Sequence, residues 1–257
     1  NPLDITSTAF PGQLTGQVFS RNIPQGYYEN ATELIRSNTL VALAQLADKI
    51  HSSQWEDIFF LFLFLENSSG MGKTQMAVNL MYHYAYQKKT DAALTNANYE
   101  VPLAEVEKDC SVVYFLASQS FSQTQDVYLP RTGLGGVSEL FMKCIKQDFF
   151  NYEKLLTINR LRADDDCFHD DQPFFTLGLL KLLMKPIIQN DEVSIQPCSY
   201  KKLRTENFKD TIKVVVLDEF PNIRSDVGKQ FIRFLRNIFR FARLPVLVMG
   251  TNNSGCN

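Results

Sequence analysis

Asn67-Ser68-Ser69-Gly70-Met71-Gly72-Lys73-Thr74 holds the residues most able to do chemistry, directly after the apolar run Ile58 to Leu65. A strand running into a loop of small residues that ends Gly-Lys-Thr is how a polyphosphate is held. The backbone N–H groups of such a loop turn inward to make an anion nest, and the helix that begins at its end adds the positive end of its dipole. Lys73 is then placed to neutralise the β and γ phosphates, and the Thr74 hydroxyl to ligate a bridging Mg²⁺. The pattern G-x-x-x-x-G-K-[ST] is met except at its first position, where Asn67 replaces glycine. Asn tolerates a left-handed backbone better than other side chains, and Gly70 and Gly72 remain where the backbone must approach phosphate. The plain alternative is a glycine-containing turn between a strand and a helix.

A phosphate loop needs a carboxylate from a second strand, and Lys213-Val214-Val215-Val216-Leu217-Asp218-Glu219 supplies one. A run of apolar β-formers reads as a strand buried on both faces of a parallel sheet, with Asp218 and Glu219 at its carboxyl end, where such sheets bind ligands. Asp218 is the expected Mg²⁺ partner and Glu219 the expected general base on an attacking water. That pairing favours hydrolysis over transfer to a small molecule. Pro245 to Gly250 is a further strand running into Thr251-Asn252-Asn253, a polar tip resembling the sensor of additional-strand ATPases, with Asn252 the residue expected near the γ-phosphate; a simple turn fits those residues too. No Asn-Lys-x-Asp guanine-recognition sequence occurs, so ATP is the default nucleotide.

The elements that must position these groups follow from periodicity. Residues 1–28 hold Pro2, Gly12, Gly16, Pro24 and Gly26 and read as an irregular leader; 29–257 read as one nucleotide-binding domain. Asn30 to Ile50 has helical spacing and is expected to pack beside the nucleotide site or cover the base. Thr74 to Gln87 continues the phosphate loop as a helix, and Ser111 to Ala117 is a strand whose polar end, Ser118-Gln119-Ser120, faces the same cleft. From about 119 to 210 the chain exceeds a simple crossover and reads as a helical insertion, with helices over Val137 to Tyr152 and Phe174 to Ile188. Thr132-Gly133-Leu134-Gly135-Gly136 lacks a preceding strand and reads as a turn. The cluster Asp164, Asp165, Asp166, His169, Asp170 and Asp171, with Cys167, reads as a solvated acidic loop before a cation site. Lys229, Arg233, Arg236, Arg240 and Arg243 form a basic stripe opposite Val227, Phe231, Leu235, Ile238 and Ala242. The stripe is either a solvated face or a surface for an acidic protein, a nucleic-acid backbone or a neighbour's γ-phosphate.

Composition sets the bounds. A chain of 257 residues, 45% hydrophobic with formal net charge -2, has a real core and is neither disordered nor a general coat for nucleic acid. The longest apolar run is too short to span a membrane. Cys110, Cys144, Cys167, Cys198 and Cys256 are odd in number and show no C-x-x-C, which favours a reducing intracellular compartment over a disulfide framework or a zinc site. Asn67-Ser68-Ser69 and Asn252-Asn253-Ser254 are glycosylation sequons on the proposed site, and a glycan at the first blocks the nucleotide. The start at Asn1 and the end soon after the sensor strand read as a piece of a longer protein with flanking domains.

Glu66 to Met76 and Leu217-Asp218-Glu219-Phe220-Pro221, with a weaker echo in Gly250-Thr251-Asn252-Asn253, resemble the P-loop NTPase region of Crinkler effectors of oomycetes and some fungi. These are similar in turn to the retrotransposon-hot-spot proteins of trypanosomes. The resemblance covers residues 58–253. It implies an ATPase module of the additional-strand class within a secreted effector acting in a host cell's cytoplasm or nucleus, often followed by a nuclease-like domain. Lys73, Thr74, Asp218 and Glu219 carry over by motif position. The expected fold is therefore an α/β three-layer P-loop domain with a mainly parallel sheet, and the expected function Mg-ATP binding and hydrolysis. The alternatives are a nucleotide-gated interaction module without turnover and a nucleic-acid-stimulated motor.

Overall fold

The computed structural model describes residues 13–17, 22–36, 45–50, 62–67, 72–90, 100–116, 137–159, 170–184, 192–206, 211–218 and 226–251. In chain order the elements are β1 (Leu14–Gln17), α1 (Gln25–Arg36), β2 (Phe62–Asn67), α2 (Lys73–Thr90), α3 (Leu103–Lys108), β3 (Val112–Leu116), α4 (Ser138–Asn159), β4 (Pro173–Phe174), α5 (Phe175–Leu183), β5 (Glu192–Ile195), β6 (Cys198–Ser199), α6 (Tyr200–Arg204), β7 (Val214–Asp218), α7 (Asp226–Phe241) and β8 (Val246–Thr251). Residues 45–50 are also helical.

Among the described residues the centre is a four-stranded sheet in the order β2-β8-β7-β3, parallel at each pairing. β3 and β7 are buried along their whole length, as strands covered on both faces must be. Alternation sorts their side chains. Val112, Tyr114, Val214, Val216, Leu247 and Met249 join a core with α1 and α2, whereas Val113, Phe115, Val215, Leu217, Val246 and Val248 join a second core with α4, α5 and α7. The fold is thus α/β, with helices on both faces of a parallel sheet.

Several expected boundaries shift. The segment 1–28, expected to be irregular, contributes β1 and the first turn of α1 among its described residues, and Ile23 and Tyr28 are buried in the α2 core. The helix expected over Asn30 to Ile50 starts earlier, at Gln25, because Pro24 presets the first turn and its carbonyl accepts from the Tyr27 and Tyr28 N–H groups at 3.0 and 3.2 Å. The expected helical insertion at 119–210 also contains strands: β5 pairs antiparallel with β1, and β4 pairs with β6. Pairs of two to four residues carry too few alternations for sequence periodicity to register. The Phe174–Ile188 helix is α5, ending at Leu183.

α5 owes its start to another helix. Its N-cap, Phe174, offers no side-chain acceptor, and Asp148 of α4 fills that role by accepting from Phe175 N and Thr176 N, each at 2.8 Å. Burial of this carboxyl outweighs the two amide donors and pushes it up to about 7.

Candidate functional site

The carboxyl ends of the parallel strands meet at one edge. Register places Asn67 opposite Thr251, and Asp218 opposite both Leu116 and Met249. Asn67 is therefore the last residue of β2 and not part of the loop, so its place in the motif needs no left-handed backbone. Thr251 is likewise the last residue of β8 and not part of a turn. The loop's other end is glycine for a conformational reason: Gly72 sits at φ +78°, and its carbonyl accepts from Met76 N at 3.0 Å to start α2. Lys73 and Thr74 open that helix.

Asp218 follows Val214 and Val216 in the two-residue alternation, which aims its carboxylate at the face occupied by α2. There the Thr74 hydroxyl donates to Asp218 Oδ2 at 2.9 Å, joining residues 144 apart in sequence. The same oxygen receives the Tyr114 hydroxyl at 2.5 Å, from the neighbouring strand β3 and the same alternation set. Asp218 is 2% exposed and Lys73 6% exposed, so an ammonium and a carboxylate are both held out of water at this edge. Burial of two such groups is tolerated where partners satisfy them or a ligand completes the set.

Of the residues singled out in the sequence, Lys73, Thr74 and Asp218 converge on the edge. Ser68, Ser69, Gly70, Met71, Glu219 and Asn252 lie outside the described residues, as do Ser118 to Ser120, Thr132 to Gly136 and Asp164 to His169. Two participants escaped the sequence reading. Tyr114 is one; its signal is a hydroxyl-bearing ring inside an apolar strand, two residues before that strand's end. Gln75 is the other: its amide donates to the Tyr27 carbonyl at 2.9 Å and to Asn79 Oδ1 at 2.8 Å, while Asn30 donates to its Oε1 at 3.2 Å. These bonds fasten α1 to the first turn of α2, beside Lys73 and Thr74.

The donor set is one hydroxyl and one carboxylate, both hard oxygen ligands. Among the described residues no group of three or more His, Cys, Asp or Glu is arranged to hold a metal. Such a pair suits a small divalent cation that takes its remaining oxygens from water and a bound phosphate, as Mg²⁺ does, rather than a metal caged by protein alone. Among the described residues no helix is long and apolar enough to cross a membrane. Comparison with protein-family models and with curated proteins finds no match for this chain.

Proposed function

We propose that the chain binds Mg-ATP at the carboxyl edge of its parallel sheet and hydrolyses it. The observation that carries this reading is the 2.9 Å bond from Thr74 of the Gly-Lys-Thr turn to Asp218 of a distant strand. A chance glycine turn has no reason to place its threonine on a buried carboxylate of the opposite motif. Strand order adds support: β8 lies between β2, which leads into the loop, and β7, which carries Asp218. An extra strand in that position is what the additional-strand ATPase class is named for, and it agrees with the Crinkler-type resemblance of the motifs. The effector setting that this resemblance implies belongs to the same proposal and rests on the motifs alone.

In this reading α2 points its N-terminus and its N–H groups at the phosphates, and Lys73 lays its ammonium on the β and γ oxygens. Thr74 and Asp218 would hold the magnesium ion, which would supply positive charge against the charge developing on the transferred phosphoryl group. Glu219 takes the proton of the in-line water, and Asn252 contacts the γ-phosphate. Tyr114 donates to the same Asp218 oxygen as Thr74 and so orients that carboxylate.

The test is phosphate release from Mg-ATP by the chain and its Glu219→Gln and Lys73→Ala forms, with nucleotide binding followed on all of them. The expected result is turnover lost in both variants, with ATP retained by Glu219→Gln and released by Lys73→Ala. Binding without turnover in the parent chain rejects the hydrolase and leaves a nucleotide-gated module. Unchanged binding in Lys73→Ala rejects the site.

A further inference from the structure

The outer face of α7 carries a row of exposed cations. Lys229, Arg233, Arg236, Arg240 and Arg243 are all exposed, while Phe234, Leu235, Ile238, Phe239 and Ala242 are buried against the sheet. Residues 226–243 hold five cations and one carboxylate, in a chain of 26 basic and 28 acidic residues. The remainder of the chain is thus more acidic than the total suggests, and this helix is a local reversal of sign. The cations recur at intervals of four, three and four residues, a straight stripe rising about 16 Å from 229 to 240 at 1.5 Å per residue.

Solvation of an amphipathic helix explains a polar face, but not this one. Ion pairs elsewhere among the described residues use lysine: Lys88 with Asp109, Lys89 with Glu105, Lys143 with Glu139, Lys181 with Glu206 and Lys201 with Asp171. Arg233, Arg236 and Arg240 take no ion-pair partner among the described residues. The helix dipole favours Arg240 and Arg243 near the C-terminus, yet does nothing for Arg233 and Arg236 in its middle. At the end of α7 the chain adds a further cation against local preference. Arg243 sits at φ 53° with Arg243 N on Arg240 O at 2.9 Å and Leu244 N on Phe239 O at 3.0 Å, a Schellman closure in which glycine is the least strained residue.

We propose that this stripe docks the phosphodiester backbone of nucleic acid, without reading sequence. Arginine is the side chain whose planar fork matches phosphate, and four of the five cations are arginine. A line of like charges repeating about every 5 Å fits a polyanion of fixed charge spacing better than the scattered carboxylates of a protein surface. The aromatic residues of α7 turn inward, Phe234 and Phe239 fully and Phe231 and Phe241 in part, so no ring is offered for base stacking. Binding therefore goes through backbone charge, and a duplex suffices. The inference stands apart from nucleotide hydrolysis, because α7 packs on the face of the sheet opposite α2.

The experiment is fluorescence anisotropy of a labelled random-sequence DNA duplex with the whole chain over a salt series. The comparators are the chain with Arg233, Arg236 and Arg240 all changed to Gln, the chain with all three changed to Lys, and a polyglutamate competitor. Three neutralised phosphates predict that affinity falls about 40-fold between about 50 and about 200 mM salt, at roughly 0.9 in log–log slope per contact. The Gln form should lose this binding and its salt slope while keeping native circular dichroism and ATP binding, and the Lys form should keep much of both. Duplex binding equal in the Gln form, or absent in the parent chain at low salt, overturns the proposal. Polyglutamate competing better than unlabelled duplex at equal charge also overturns it, in favour of an acidic protein partner. Lys73→Ala leaves DNA binding unchanged, so failure of the stripe and failure of the nucleotide site are read separately.

Discussion

On one face of the sheet, Phe115 stacks on Phe141 with ring centres 4.0 Å apart and planes 7° from parallel, inside a core of Val, Leu, Ile and Phe from β3, β7, β8, α4, α5 and α7. On the other face the same strands turn Tyr114 and Asp218 toward α2, where hydroxyls, a carboxylate and the Gln75 amide make directed bonds. The faces differ in what each can do. Dispersion and burial are non-directional and set stability; hydrogen bonds between buried polar groups contribute little net stability but fix geometry. One strand serves both because its side chains alternate, so Leu217 anchors the sheet while the next residue, Asp218, takes the Thr74 and Tyr114 hydroxyls.

The largest effect that tests this division is on the apolar face. Phe115→Ala removes a fully buried ring and should cost about 3–5 kcal/mol in urea unfolding. Thr74→Val, on the polar face, should cost only about 1 kcal/mol while disabling the site. Equal costs for the two would undo the comparison. A loss between these two is expected from Gly178→Ala in α5. The added Cβ would lie 2.0 Å from the Gln196 carbonyl oxygen, a backbone atom that cannot swing aside, and over-packing of this kind costs about 1–3 kcal/mol. Thermal unfolding of that variant measures it, and an unchanged midpoint would mean that α5 does not rest on the Gln196 carbonyl.

Long uniform elements were legible in the sequence, and their pairing partly so. The buried strand at Val214 to Leu217, the helix after Gly72 and the amphipathic α7 each repeat their signal enough times to be read locally. Lys73, Thr74 and Asp218 stood out because their types and order are tied to phosphate chemistry, and the fold brings Thr74 onto Asp218. Tyr114 was not, since a tyrosine in a strand is ordinary until the register places it beside β7. The β1–β5 pair was missed for a related reason: Leu14–Gln17 has no apolar alternation of its own and becomes a strand through a partner some 180 residues away. Nothing local marks Asp148 of α4 as the cap of α5, and only tertiary structure shows it.

That carboxyl is the exception on the apolar face, and pH probes it. Its folded pKa of about 7 lies above the ordinary 3.8, so the folded chain holds a proton that the unfolded chain releases. The contribution to stability is complete below about pH 4 and is lost as pH rises through about 7, with a slope of at most about 1.4 kcal/mol per pH unit. Asp148→Asn removes the titration and keeps one acceptor for the two amides. Urea midpoints measured across this range should fall with pH in the parent chain more steeply than in the variant; parallel profiles would show that Asp148 does not titrate there. His83, buried on the polar face in α2, has the opposite sign: burial lowers its pKa, and its contribution is lost as pH falls.

A change in stability as small as that of Thr74→Val tests the polar face most directly. Tyr114→Phe deletes a single oxygen, leaves the ring in its core beside Val112 and Val214, and should cost about 1 kcal/mol. What it removes is the second hydrogen bond to Asp218 Oδ2. If Tyr114 is a positioning residue, the variant needs roughly fivefold more Mg²⁺ for half-maximal phosphate release, the equivalent of about 1 kcal/mol, while metal-free nucleotide binding is unchanged. A purely structural role predicts the same stability loss with no change in Mg²⁺ dependence. The split between those readouts decides whether this hydroxyl belongs to the site or to the core beneath it.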